Sequence, residues 1–235
     1  FLQAAPGGKR LILASPFGGS VQSIALEPAT GEPKPGAKVL GEGLGDDPAF
    51  APGGKHFYSF NQGKLGCVSV GADGALKQTG TFGVEGLEPK GGIRASAVTV
   101  SPDGKHVYVN LYGYGEKNAQ GKYSGYTAMG LYTRDAESGA LAFAERLEVD
   151  KKMAGINHIV FTPDGTRGYY SSGPENSGCC VGWFTRDPAT GKLTFGAFAP
   201  ETGRGVQHVA YDPGCGAVYA AGTISTKAFW VFSTR

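Results

Sequence analysis

The sequence is short of cysteine, of long apolar runs and of charge of either sign, and each shortage excludes something. Its four cysteines, Cys67, Cys179, Cys180 and Cys215, are too few for a disulfide framework, and their spacing matches no zinc pattern. Cys179 and Cys180 are adjacent, so on a strand they point to opposite faces, one thiol buried and one exposed. No stretch approaches the roughly 18 to 20 consecutive apolar residues that a membrane-spanning helix needs, which points to a soluble chain. Lys and Arg number 22 against 20 Asp and Glu, a net charge of +2, and no basic run tracks along one segment. The electrostatic footprint of a nucleic-acid binder is therefore missing, and a small or neutral partner is the expectation. The first residue is Phe1, which suggests a processed or trimmed start and leaves the compartment open. Helical periodicity is missing too, because Gly or Pro interrupts nearly every candidate window.

What the chain has in excess is glycine, 40 of 235 residues, placed between apolar runs without a three-residue period. The runs repeat. Val98-Thr-Val-Ser-Pro-Asp-Gly-Lys-His-Val-Tyr-Val109 recurs as Ile159-Val-Phe-Thr-Pro-Asp-Gly-Thr-Arg-Gly-Tyr-Tyr170, and in looser form from Leu2, Ala49 and Val209. Runs of four to seven residues rich in Val, Ile, Tyr and Phe and bounded by Gly, Pro, Asp and Ser are strands. In the turns Pro presets φ and Gly takes the position with φ above zero. A third run and a second turn follow each hairpin, as in Val181-Gly-Trp-Phe-Thr185 before Asp187-Pro-Ala-Thr-Gly191, and then a short fourth run such as Leu193-Thr-Phe195.

The repeating unit is thus four antiparallel strands, A to D, and such units repeated at 40 to 50 residues are the blades of a β-propeller. The A–B turn prolines, Pro6, Pro52, Pro102, Pro163 and Pro213, are spaced by 46, 50, 61 and 50 residues. This predicts an all-β, single-domain propeller over 1–235 with five blades, at about 1–43, 44–92, 93–150, 151–202 and 203–235. The last blade has no segment for a D strand, so it is expected to be three-stranded, with an open edge that offers a homodimer contact. The long spacing in blade three is read as a B–C loop from Asn110 to Gly130 bearing Tyr112, Tyr114, Tyr123 and Tyr126. Trp183 and Trp230 fall in C strands and read as blade packing.

Ser101-Pro-Asp-Gly-Lys-His-Val-Tyr-Val109 and Asp187-Pro-Ala-Thr-Gly-Lys-Leu-Thr194 resemble the lactonase-type propellers, the family of the propeller 6-phosphogluconolactonases and the carboxymuconate lactonising enzymes. Members have seven blades. The resemblance implies an enzyme of lactone chemistry, hydrolysing or lactonising a small cyclic ester.

In a propeller the A strands line the axis, so the residues that begin them ring one mouth of the channel. Five residues before each turn proline stand Phe1, Asp47, Ala97, His158 and His208; one further back stand Asp46, Ser96, Asn157 and Gln207. Gly155-Ile-Asn-His158 and Gly205-Val-Gln-His208 are similar, at Gly and His, to a Gly-Pro-Arg-His segment common in the family. His158, His208, Asp46 and Asp47 are the candidate catalytic residues, an imidazole serving as general base and an aspartate orienting it or replacing it. Arg94 and Arg204 are placed to hold a carboxylate or phosphate, with Ser96, Asn157, Gln207 and the four tyrosines as further substrate contacts. His56 and His106 are expected on the opposite face, in solvent. No cofactor is required; a divalent metal held by two His and two Asp is a weaker reading, since no local spacing marks it. The alternative to an enzyme is a non-catalytic propeller that binds carbohydrate or protein.

Overall fold

The computed structural model describes residues 1–84, 87, 93–117, 119, 121, 123–147, 149, 156–172, 180–199, 206–222 and 229–233. Among the described residues, nineteen strands and a single 3-10 turn at Pro16–Gly18 make up the regular structure. They form five antiparallel sheets, each continuous in sequence. Blade one holds β1 (Leu2–Ala4), β2 (Arg10–Ser15), β3 (Ser20–Leu26) and β4 (Pro33–Leu40). Blade two holds β5 (Asp46–Phe50), β6 (His56–Asn61), β7 (Lys64–Val70) and β8 (Leu76–Gly83). Blade three holds β9 (Ile93–Val100), β10 (His106–Lys117), β11 (Tyr123–Arg134) and β12 (Leu141–Leu147). Blade four holds β13 (Ile156–Phe161), β14 (Arg167–Ser172), β15 (Cys180–Arg186) and β16 (Leu193–Ala199), and blade five has only β17 (Val206–Asp212), β18 (Ala217–Gly222) and β19 (Phe229–Ser233). The fold is an all-β propeller fold of five blades, the last three-stranded, as the repeat predicts.

The repeated turn residues have concrete tasks. Gly104 and Gly165 take φ of 70° and 67°, and their amides bond to the Ser101 and Thr162 carbonyls at 2.8 and 2.9 Å, closing the Pro-Asp-Gly turns. The turn aspartates stitch the same loops: Asp103 accepts from the Ser101 hydroxyl and Asp164 from the Thr162 hydroxyl, both at 2.6 Å. Such bonds hold the Asp164, Asp187 and Asp135 carboxyls below their usual range.

Two compact units are distinguished by their internal contacts: Phe1–Gly86 with Ala97–Tyr108 and Tyr132–Phe143, and Leu87–Ser96 with Val109–Leu131 and Ala144–Arg235. The first is centred on Ile12, Ala14, Val21, Leu44, Phe57 and Val68. The second is centred on Val181, Val206, Val209, Val218 and Ala220, with Trp230 and Phe232 packed against them.

Two expectations are corrected by the strands themselves. The stretch read as a B–C loop is largely strand: β10 runs on to Lys117 and β11 starts at Tyr123, which places Tyr112, Tyr114, Tyr123 and Tyr126 in the sheet. Its glycines look like turn residues, but β-rich tyrosines between them keep the backbone extended. Trp183, expected to pack between blades, is 45% exposed. It lies across Gly196, whose missing side chain leaves room for the indole.

Candidate functional site

Several of the candidate residues lie where three of the A strands are irregular. In β13 the pairing passes from Ile156↔Ser172 to His158↔Ser171, leaving Asn157 as an extra residue. The same happens in β17, where Val206 pairs with Gly222 and His208 with Ala221, so that Gln207 is the extra one. In β5, Asp46 pairs with Phe60 and Ala49 with Tyr58, putting Asp47 and Pro48 opposite Ser59 alone. These are β-bulges, which bend a strand and re-aim its side chains and which recur beside active sites. They fall four to six residues before the turn proline, where the repeats differ in sequence.

In the second unit the two bulged strands are tied together. The Asn157 side-chain amide donates to the Val206 carbonyl at 2.8 Å, linking β13 to β17 at the bulge. Beside this strut the His158 and His208 rings approach to 5.4 Å between centroids, tilted by 56°. Their surroundings differ. His208 is exposed. His158 is pushed down to about 4, first by burial and then by the neighbouring imidazole of His208, with a bond to the Val209 backbone acting in the opposite direction. A backbone group that favours the protonated imidazole is a carbonyl accepting a ring N–H. At neutral pH His158 is therefore uncharged, and its Nδ1 is buried without a hydrogen-bond partner among the described residues.

Of the other candidates, Asp46 and Asp47 lie half-buried on β5 in the first unit, where the Ser59 hydroxyl donates to the Asp46 carbonyl and accepts from the Gly45 amide at 2.9 Å. Asn157 is brought to the histidine pair, with its amide committed to Val206. Arg94 and Ser96 belong to strand β9, and Gln207 is the bulge residue of β17. The side chains of Arg94, Ser96, Gln207, Tyr112, Tyr114, Tyr123 and Tyr126 lie outside the described residues, as do all of Arg204 and of residues 173–179. Among the described residues no three His, Cys, Asp or Glu side chains converge on a point that could hold a metal.

His56 and His106 correct the sequence reading outright: they are 2% and 4% exposed, not solvated. Each is the first residue of a B strand and turns inward. Arg134, at the end of β11, reaches the first of them. Its Nη2 donates to His56 Nδ1 at 3.2 Å, its Nε to the Tyr58 hydroxyl at 2.7 Å and its Nη1 to the Gly104 carbonyl at 3.1 Å. Tyr58 in turn donates to the Gly139 carbonyl at 2.8 Å. Since a guanidinium only donates, His56 Nδ1 must accept, and the imidazole is neutral. Burial first and Arg134 second lower its pKa. Arg186 repeats part of the device in blade four, donating to the Gly165 carbonyl at 3.2 Å.

A separate groove of about 550 Å³ runs along the second unit, lined by Arg167, Tyr169, Trp183, Phe184, Val218 and Phe232 among others. Sequence reasoning missed it. Its lining residues include neither carboxylate nor histidine.

Antiparallel blades, three of whose A strands, β5, β13 and β17, begin with a polar bulge, define a propeller. The profile of the lactonase family, described as a 7-bladed β-propeller, matches residues 47–220, and the chain belongs to that family. The described residues here form five blades. Among solved structures, a protein from Lactobacillus plantarum is similar with a TM-score of 0.74 at 16% identity; 99% of this chain is covered, spanning 66% of that one. The periplasmic gluconolactonase of Pseudomonas aeruginosa is similar with a TM-score of 0.57 at 18% identity, over 99% of this chain and 80% of that one. A candidate 6-phosphogluconolactonase of Bacteroides fragilis gives 0.58 at 17% identity, over 99% and 79%. At these identities the likeness is one of fold. No curated protein matches the chain. No helix among the described residues is long and apolar enough to cross a membrane.

Proposed function

We propose that the chain opens a small cyclic ester by hydrolysis, using His158 and His208. The observation that carries this reading is the contact of the two rings at 5.4 Å with a buried, unpartnered Nδ1 on one of them. Family membership supports lactone chemistry in general, and the gluconolactonase fold relative points to sugar lactones as the substrates to try first. A water held by His158 Nδ1 attacks the ester carbonyl while His208, open to solvent, takes its proton. The tetrahedral intermediate then collapses with cleavage of the ring C–O bond, and His208 returns the proton to the departing ring oxygen. The product is the open hydroxy acid, with no redox change and no covalent intermediate. The reverse sequence of steps is lactonisation.

Hydrolysis of δ-gluconolactone and of its 6-phosphate, followed by proton release, tests the reading. His158→Ala and His208→Ala are each expected to lower kcat/KM by about 100-fold or more, the usual scale for removing an acid–base group. Turnover retained in both variants overturns it.

A further inference from the structure

The two imidazoles have a capacity besides proton transfer. We propose that His158 and His208 form a binding site for one borderline divalent transition cation, Cu²⁺, Ni²⁺ or Zn²⁺, with solvent completing its shell.

The ring separation is the first ground. Two imidazoles sharing one tetrahedral ion at ~2.1 Å per bond stand with ring centres about 5.3 Å apart. The observed separation of 5.4 Å, with a tilt of 56°, matches that spacing. His208 is exposed, so its ring is free to turn a nitrogen toward the ion.

The hydrogen bonding of His158 is the second. Ligand histidines as a rule tie one ring N–H to a carbonyl or carboxylate, which fixes the tautomer and presents the other nitrogen as a lone pair. His158 has this arrangement, bonded to the Val209 backbone through one nitrogen and with buried Nδ1 unpartnered. Beyond burial and the Val209 backbone, His208 is the group that acts electrostatically on His158 among the described residues. The Asn157 strut to the Val206 carbonyl, 2.8 Å long, keeps the two bulged strands from separating.

No third His, Cys, Asp or Glu among the described residues joins the pair. The ion would keep at least two open positions for water or substrate, and two nitrogen donors favour Cu²⁺ over Ni²⁺ and Zn²⁺ and discriminate against Mg²⁺ and Ca²⁺, which take oxygen. The site shares its side chains with the proposed reaction but does not depend on the substrate being a lactone.

The test is Cu²⁺ binding followed by electron paramagnetic resonance. Thiols would compete, so the background is Cys179→Ser, Cys180→Ser and Cys215→Ser; the remaining Cys67 is buried. One equivalent should bind saturably with Kd below about 100 μM and show splitting from two imidazole nitrogens. His208→Ala should lose one nitrogen and at least about ten-fold in affinity, and so should His158→Ala. Because His158 also packs, the exposed His208 decides. Affinity unchanged in His208→Ala, or no saturable binding in the background protein, overturns the site. Lactone turnover is read separately in chelator: turnover that persists there alongside stoichiometric Cu²⁺ binding supports the site and leaves the hydrolysis to the imidazoles alone.

Discussion

His56 in the first unit and His158 in the second are both held below the usual imidazole range, and for both burial is the leading cause. They differ in one atom's partner. His56 Nδ1 accepts from Arg134, whose other donors are used by Tyr58 and Gly104. His158 Nδ1 meets nothing among the described residues, and an exposed second imidazole stands beside it. Burial alone therefore does not distinguish a structural histidine from a working one. A closed set of partners makes the first a piece of the scaffold, whereas an open valence in a buried place costs stability that nothing local returns. On the function proposed above, a ligand offsets that cost.

The contrast can be broken from the first unit's side. Arg134→Met removes four hydrogen bonds, the weakest to the Ala136 carbonyl at 3.5 Å, and leaves the Tyr58 hydroxyl and His56 without their donor; it should cost about 3 kcal/mol in denaturant unfolding. Catalytic turnover of the folded fraction should stay at the wild-type value. A glycine pair sharpens the same point. Gly31 and Gly139 sit in equivalent turns at φ of 73° and 75°. A Cβ at Gly31 meets open space, but at Gly139 it would stand 2.8 Å from the His56 ring and 2.9 Å from Cys67 Sγ. Gly31→Ala should thus cost about 1 kcal/mol, from backbone strain alone, and Gly139→Ala about 1 to 2 kcal/mol more. Equal losses would mean that His56 is not held where the hydrogen bonds put it.

Smaller effects separate the two histidines further. Asn157→Ala removes a single bond and should cost about 1 kcal/mol, while loosening the His158–His208 contact enough to weaken turnover. The titration of His56 gives a pH dependence with a definite sign. Its folded pKa lies below the unfolded value of 6.5, so below that pH the unfolded chain binds a proton that the folded protein refuses. Stability is therefore full above about pH 6.5, declines as pH falls toward the folded pKa, and levels off beneath it. His56→Gln, which keeps an acceptor for Arg134, should flatten part of that slope in urea titrations between pH 7 and 4. An unchanged slope would contradict the neutral, accepting imidazole.

The turns were the legible part of this molecule. A proline followed by Asp-Gly or Gly-Gly dictates local backbone dihedrals, so strand starts, blade count and the three-stranded fifth blade all followed from residues close in sequence. The histidine pair was legible for a related reason: His158 and His208 sit at a fixed offset from Pro163 and Pro213. What could not be read was anything set by partners distant in the chain. Arg134 lies 78 residues from His56, and no local pattern announces that a polar side chain after Gly-Lys will be buried under it. The bulges at Asn157 and Gln207 were equally invisible, because an extra residue is defined only by the register of the strand opposite. The tyrosine-rich stretch of blade three misled in the other direction, its glycines imitating a loop where the strands continue to Lys117 and resume at Tyr123.

The most direct measurement is kcat/KM for δ-gluconolactone hydrolysis by His208→Ala, taken alongside its melting temperature. The exposed ring contributes little to packing, so the melting temperature should move by no more than about 1 °C, while kcat/KM falls by about 100-fold or more. Hydrolysis by His208→Ala at the wild-type rate would contradict the assignment of the pair as the working site.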